Sequence, residues 1–387
     1  MQDKILYVKL YTLAAYIIFL QYLTERRHGF RNPDRNRFLN IMQNKTVAQQ
    51  VNIAAAQKNI PLSVFIELTH RCNLQCYYCY QKSYTPAAEL IFSQWERVIQ
   101  ELAGMESLYI TFSGGEPFLR PDFIDIVSCA RRHDFAVSII TNGILITEPI
   151  VKKLEELGIL DIGVSLHAAD EKLHDTLTTL PGSFRLALNA IRLCVKAGIK
   201  VLIKHSVSNA NFGQYAELKK LAESEGCAFE CDSMILPMNK GETSPYALNH
   251  EQHFMFLKDM YTPSLMNCIS TKDTSILHCD AGRSLCGISP SGEVFPCIIL
   301  PISLGNLNEA SFKTIWFGEK AAEFRKQEEK IEDACKKCPQ NIMCSRCHAI
   351  AFFETKKWAG KSDSLCARTD AMMKLAGNEN YRQSHIL

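Results

Sequence analysis

The chain has 387 residues, of which 47% are hydrophobic, enough for one large domain plus a smaller one and too much for global disorder. Lysine and arginine number 43 and aspartate and glutamate 41, a net charge of +2 that gives nucleic acid no electrostatic claim as the main partner. Sixteen cysteines stand out: a chain able to bury a core does not need disulfides in place of one, so metal explains them better than disulfides do.

Leu10 to Leu20 is an apolar run with tyrosines, followed by Glu25, Arg26 and Arg27. It is shorter than the roughly 20 residues of a spanning helix. It lacks a small-residue cleavage site and has Asp3 ahead of it, so it does not read as a signal peptide. A helix packed on the protein is the plain reading, with a membrane-surface or partner-binding helix as the alternative. Membrane contact is not expected.

From residue 63 strands and helices alternate. Short apolar runs rich in Val and Ile predict buried parallel strands at Ser63–Leu68, Leu108–Phe112, Ala136–Ile140, Leu160–Ser165, Lys200–Ser206 and Ala228–Met234. Helices are predicted at Ser93–Ala103, Pro121–His133, Glu148–Leu157, Ser183–Lys196 and Gln214–Glu225. Ser93 and Thr147 read as N-caps, and Gly158 and Gly198 as stops. Six such units predict an α/β fold, a partial (β/α)6 TIM-like barrel whose chemistry sits at the C-terminal ends of its strands. After about residue 240 the alternation ceases and Gly, Pro, Ser and Cys become dense. The expected divisions are a helical extension over 1–60, the barrel over 61–240, a cysteine-rich domain over 241–375 and a tail over 376–387.

Cys72, Cys76 and Cys79 follow the first strand, separated by three and two residues. Three thiolates can hold three irons of a [4Fe–4S] cube and leave the fourth iron open to a chelating small molecule. Half a zinc site with His70 as fourth ligand is the alternative. Ser113-Gly114-Gly115-Glu116-Pro117 follows the second strand, Thr141-Asn142-Gly143 the third, and Ser165-Leu166-His167 ends the fourth. The C-terminal part holds Cys279, Cys286, Cys297, Cys335, Cys338, Cys344, Cys347 and Cys366. Read alone, the dense run from Cys335 to Cys347 also suits a zinc ribbon or treble clef.

The spacing Cys72-x3-Cys76-x2-Cys79, with Tyr78 before the last cysteine, resembles the radical S-adenosylmethionine (SAM) signature, and the motifs at successive strand ends extend the likeness over about 140 residues. Gly292 followed by Cys297, then the dense run and a distant Cys366, resembles a SPASM domain, although the third gap in the run is two residues where the family usually has three. The resemblance implies a SAM-bound [4Fe–4S] cluster on Cys72, Cys76 and Cys79. It implies SAM contacts from the backbone at Gly114 and Gly115, from Glu116 to the ammonium, from Asn142, from Ser165 to the ribose or carboxylate, and from the backbone near Tyr78 to the adenine. Relatives often have Asp where His167 stands, and often Arg after the following His-Asp pair, where His174 and Asp175 lead to Thr178; Lys204 is the candidate to meet the SAM carboxylate instead.

Two auxiliary clusters of the [4Fe–4S] type are implied as well. Cys279, Cys286, Cys297 and Cys347 would hold the nearer one, with Cys286 the least secure ligand. Cys335, Cys338, Cys344 and Cys366 would hold the outer one. Of the five remaining cysteines, Cys129, Cys194, Cys227 and Cys231 read as core, with Cys268, in the linking region, as a candidate to replace a ligand.

The implied reaction is reductive cleavage of SAM to a 5′-deoxyadenosyl radical that abstracts hydrogen from a substrate, with the auxiliary clusters handling electrons. The implied substrate is a peptide or protein, crosslinked or oxidised; a small metabolite or cofactor precursor is the alternative. A non-enzymatic iron–sulfur or zinc-binding electron-transfer protein is the reading from a different class. Ile298 after Cys297 counts against sulfatase maturation, whose enzymes have an aspartate there as a base. Expected partners are a low-potential donor such as flavodoxin or ferredoxin and a separate leader-peptide-binding protein, since residues 1–60 are short for a built-in one. Oxygen-sensitive clusters place the chain in the cytoplasm. No catalytic base is identified.

Overall fold

The computed structural model describes residues 46–83, 88–236, 244–260, 279–326, 335, 337–341, 344, 346–357 and 360–375. The apolar run at 10–20, Cys268 and the tail from 376 lie outside them. Helix α1 (Val47–Lys58) precedes strand β1 (Ser63–Glu67). Then come α2 (Phe92–Gly104), β2 (Tyr109–Ser113), α3 (Phe123–Arg132), β3 (Ala136–Thr141), α4 (Glu148–Leu157), β4 (Asp161–Ser165), α5 (Glu171–Thr178), α6 (Ser183–Lys196), β5 (Val201–Ser206), α7 (Gln214–Ser224) and β6 (Ala228–Asp232). The C-terminal part contributes α8 (His250–Met260), β7 (Leu285–Ile288), β8 (Glu293–Phe295), β9 (Gly305–Asn306), α9 (Phe312–Trp316), α10 (Glu319–Lys326), α11 (His348–Thr355) and α12 (Asp363–Leu375).

All six expected strands are present and parallel, in sequential order from β1 to β6. The described strands form one open sheet ordered β6-β5-β4-β3-β2-β1-β7-β8-β9, a barrel left unclosed. Strand β7, from the cysteine-rich part, pairs parallel with β1, Val64 beside Cys286, and β8 and β9 turn back antiparallel. The change in sequence character near residue 240 is therefore no break in the sheet.

The expected burial of the strands holds on one face. Val64, Ile66, Ile110, Phe112, Val137, Ile139, Ile162, Val164 and Ile203 are fully buried, in one core with Trp95, Ile126, Leu154, Ile191 and Leu218 of the crossover helices. The alternating positions Phe65, Thr111, Ser138, Ser165 and Lys204 keep partial access. A pleated strand sends successive side chains to opposite faces. Here helices seal one face, and the other lines an open lumen. Cys129 and Cys194 lie in the sealed core, as expected.

Helix starts differ in detail. The second helix begins at Phe92, with Gln94 accepting from the Ile91 N–H (3.0 Å), so Ser93 lies inside it rather than at the cap. Thr147 occupies the N-cap of α4, but its side chain makes no capping bond, and the helix stops at Gly158. The Trp316 indole donates to the Asn59 carbonyl (2.6 Å), tying α9 to the end of α1. Helices α8 and α12 share a second core built on Phe256, Leu257 and Met372, which also takes in Val207 and Tyr215.

Candidate active site

The loop after β1 turns back on itself, the Cys79 N–H donating to the Cys76 carbonyl (3.3 Å) and the Leu74 N–H to Cys72 Sγ (3.4 Å). It is held from two sides. On one, the Gln75 and Tyr77 N–H groups donate to the Thr178 and Leu177 carbonyls (3.3 and 3.0 Å) in the last turn of α5. On the other, the Gly115 and Glu116 N–H groups donate to the Thr69 and Arg71 carbonyls (2.7 and 2.9 Å). A Cβ on Gly114 or Gly115 would lie 2.3 Å from those same carbonyl oxygens. These glycines thus let two backbones of the protein meet, the strand-two turn against the cysteine loop. At the loop's root, the buried Glu67 carboxylate accepts from the Tyr80 hydroxyl (2.6 Å) and the Gln81 amide (2.9 Å). Thr69 hydrogen-bonds Glu89, whose carboxylate also meets Arg120 (3.3 Å).

Glu116 ends the strand-two turn. Its carboxylate is fully buried and accepts from the Phe118 N–H (3.1 Å), the Asn142 N–H (2.9 Å) and the Thr141 hydroxyl (2.8 Å). It braces the ends of β2 and β3, and its burial pushes its pKa up to about 7. Asn142 reaches the cysteine loop, its amide donating to Asn73 Oδ1 (2.7 Å) and lying 3.8 Å from Cys72 Sγ.

Ser165, Lys204 and Glu230 stand side by side on the lumen face of β4, β5 and β6. Lys204 faces the lumen as required, but its ammonium already binds Glu230 Oε1 (2.6 Å), and its stem crosses the bare position at Gly163. The residues that depart from the family pattern serve the fold. His174 Nδ1 accepts the His167 N–H (3.1 Å), and Asp175 accepts from the Gly182 and Phe184 N–H groups (2.6 and 2.9 Å) at the start of α6. Thr178 hydrogen-bonds Ser183 (2.7 Å). Burial holds His174 and His205 down at about 4, neutral at physiological pH.

Tyr78 is buried, edge-on to His167 and Tyr246. Its hydroxyl accepts from the Asn211 amide (3.3 Å), which also donates to the carbonyls of His167 (2.9 Å) and Ser206 (3.0 Å). Asn211 thus locks the ends of β4 and β5 to the cysteine loop, a role sequence reasoning missed. It follows a strand end, as the recognised motifs do, and that placement was the available signal.

The C-terminal cysteines fall in two places. Cys335, Cys338, Cys344 and Cys366 ring a cavity of about 90 Å³, with the Arg346 guanidinium 3.4 Å from Cys335 Sγ. Cys279, Cys297 and Cys347 lie close enough to act on one another electrostatically, while Cys286, buried on β7, feels only Cys297 of that set. Burial pushes Cys279 up to about 12 and Cys297 to about 11, so cluster assembly must displace their protons. Among the described residues no three such side chains converge as a single-ion site. The donor sets of three and four thiols suit four-iron cubes, which cysteine thiolates hold. A second cavity, of about 300 Å³, is lined by both parts of the chain. Tyr78, Tyr80, Ser206 and Asp232 line its barrel side, and Cys347 and Arg368 its auxiliary side.

Comparison with known proteins agrees with this geometry. The model of the radical SAM superfamily matches residues 66–213, and that of the SPASM iron–sulfur cluster-binding domain matches 279–339. The AdoMet-dependent heme synthase of Methanosarcina barkeri is 30% identical over 78% of this chain and 95% of its own length. The PqqA peptide cyclase of Gluconobacter oxydans is 27% identical over 79% of this chain and 90% of its own. The solved structure of anSMEcpe with bound AdoMet and a peptide shares the fold, with a TM-score of 0.67 and 20% identity over 82% of this chain and 97% of its own. No helix among the described residues is long and apolar enough to cross a membrane. The chain belongs to the radical SAM superfamily: it is an enzyme that binds SAM at a [4Fe–4S] cluster and carries auxiliary iron–sulfur clusters in a SPASM domain.

Proposed function

We propose that this enzyme oxidises or crosslinks a peptide or protein side chain in the cavity between its two cysteine regions. The observation that carries the reading is that one cavity has both Tyr78, next to the loop ligand Cys79, and Cys347, of the nearer auxiliary set, in its walls. Bound at the cluster that Cys72, Cys76 and Cys79 would hold, SAM would supply a radical able to take a hydrogen atom from the substrate. The chain's own part is to hold the substrate carbon there, to exclude water with Tyr78, Ile299, Ile350 and Leu365, and to offer Asp232 and Arg368 as the charged groups that orient it. Cys72, Cys76 and Cys79 hold the SAM cluster. Cys279, Cys297 and Cys347, with Cys286, hold the nearer auxiliary cluster, and Cys335, Cys338, Cys344 and Cys366 the outer one. Lys204 meets the SAM carboxylate if it leaves Glu230. A flavodoxin or ferredoxin in the cytoplasm supplies the low-potential electron, and a separate protein presents the leader of a peptide substrate.

The PqqA cyclase relative supports a peptide substrate. The heme synthase relative, similar over 95% of its length, favours a second reading, a small cofactor precursor. Anaerobic enzyme at full iron loading, given SAM and dithionite, should form 5′-deoxyadenosine. Mass spectrometry with peptides encoded beside the gene, and separately with carboxylate-bearing tetrapyrroles, decides between the substrates. No 5′-deoxyadenosine under those conditions would sink both readings.

A further inference from the structure

The neighbour of Cys76 is a histidine whose surroundings leave its imidazole one useful orientation. Its Nε2 lies 3.9 Å from Cys76 Sγ, within reach of an N–H···S bond. The ring is clamped edge-on by Tyr78, with centroids 5.4 Å apart, and stacked on His174 at 5.6 Å. Its own main chain is pinned at both ends, the N–H to His174 Nδ1 and the carbonyl to the Asn211 amide. The other ring nitrogen, Nδ1, is buried without a hydrogen-bond partner. A neutral imidazole carries one proton. A buried N–H without an acceptor is the rarer and costlier defect, so the proton belongs on Nε2, facing the sulfur.

We propose that His167 donates an Nε2–H hydrogen bond to the Cys76 thiolate and so raises the reduction potential of the cluster on that loop. This rests on the assignment of Cys72, Cys76 and Cys79 as cluster ligands. Reduction adds negative charge to the cluster and its sulfurs, and a donor aimed at a ligand sulfur stabilises the reduced state more than the oxidised one. An aspartate at this position would place a carboxylate beside the thiolate and act in the opposite sense. His167 is thus a positioning and tuning residue, with no contact to substrate required of it.

The test uses the full chain, reconstituted anaerobically and loaded with SAM. In His167→Phe the ring packing is kept and the donor removed. In His167→Gln the amide nitrogen takes the place of Nε2. Redox titration followed by electron paramagnetic resonance of the SAM-bound cluster should find His167→Phe reduced several-fold less at the potential where the wild type is half reduced. His167→Gln should remain near the wild type. Equal shifts in both variants, or none in His167→Phe at full iron content, would overturn the proposal. Wild-type protein with ¹⁵N-labelled histidine gives a reading that needs no variant to fold: pulsed resonance of the reduced cluster should show weak coupling to a histidine nitrogen, and its absence also overturns the proposal. Replacing Cys72, Cys76 and Cys79 by alanine tests the assignment beneath it, because survival of the SAM-responsive signal there would discredit the ligands rather than the hydrogen bond.

Discussion

Substituting Gly115 by alanine tests the claim that the strand-two turn and the cysteine loop are joined backbone to backbone. The new Cβ would sit 2.3 Å from the Arg71 carbonyl oxygen and 2.8 Å from that of His70. Neither neighbour is a flexible side-chain end, and ordinary contact begins at 3.4 Å, so the loop must retreat by about 1.1 Å (3.4 − 2.3). That movement breaks the bonds from the Gly115 and Glu116 N–H groups to the Thr69 and Arg71 carbonyls. Each buried donor left unsatisfied costs about 1–3 kcal/mol, so the join loses about 2–6 kcal/mol. A domain's whole stability is about 5–15 kcal/mol, so the sheet survives while the loop is displaced. Anaerobically reconstituted Gly115→Ala should therefore lose about four irons per chain, the content of one cube, with its far-ultraviolet dichroism unchanged. Gly104→Ala is the control, since a Cβ there meets nothing within 4 Å. Full iron content in Gly115→Ala, with an unchanged urea midpoint, would refute the reasoning.

Glu116→Gln should destabilise the fold by about 1–3 kcal/mol, because one amide N–H must face the Phe118 or Asn142 N–H that the carboxylate now accepts. The pH dependence is a sharper readout. The folded carboxyl keeps its proton to about pH 7, against an ordinary value of 4.5, so this group's stabilisation is fully present below 4.5 and is lost as pH rises towards 7. The stability gap between wild type and Glu116→Gln, measured by urea titration, should narrow over that window, and a widening gap contradicts the burial argument. Replacing Cys335 and Cys366 together should remove about four irons and leave SAM cleavage intact, and replacing Cys279 and Cys297 should remove a different four; loss of all the C-terminal iron from either pair would mean the sets are not separate. Asn211→Ala leaves the His167 and Ser206 carbonyls and the Ser208 N–H without their partner and should cost about 2–4 kcal/mol, read as a lowered thermal midpoint.

What was legible in the sequence was local and periodic. Strands such as Ala136–Thr141 read correctly because one sealed face demands apolar residues at every second position, and the cysteine loop read correctly because ligand spacing is short-range. The helix Glu171–Thr178 went unread: it is eight residues long, and only Leu173 and Leu177 give it an apolar stripe. The pairing of β7 with β1 joins segments more than 200 residues apart and leaves no local signature. Glu116 is legible as a motif residue, but its bonds to the Phe118 and Asn142 N–H groups are not, because residue type fixes which chemistry a side chain can do and not where it points. Lys204 reads as a residue of the fifth strand, but its partner Glu230 lies on the next strand, beyond the reach of a linear pattern.

The pairing of β7 with β1 also explains how two redox regions from opposite ends of the chain can serve one substrate. Strand β1 runs directly into the Cys72 loop, and β7, hydrogen-bonded along it, carries Cys286 beside Val64. The SAM-cluster loop and the start of the auxiliary region are thus fixed to one strand pair, with no flexible linker setting their separation. Helix α11 starts immediately after Cys347, and α12 carries both Cys366 and Arg368, so the auxiliary wall of the cavity is made of the same elements that position its thiols. Under the proposed function, a substrate held there would sit between both centres at a distance the sheet determines. Loosening the β1–β7 pairing should therefore uncouple SAM cleavage from product formation before it unfolds the barrel, because the cysteine loop keeps its independent anchors on α5 and on the strand-two turn.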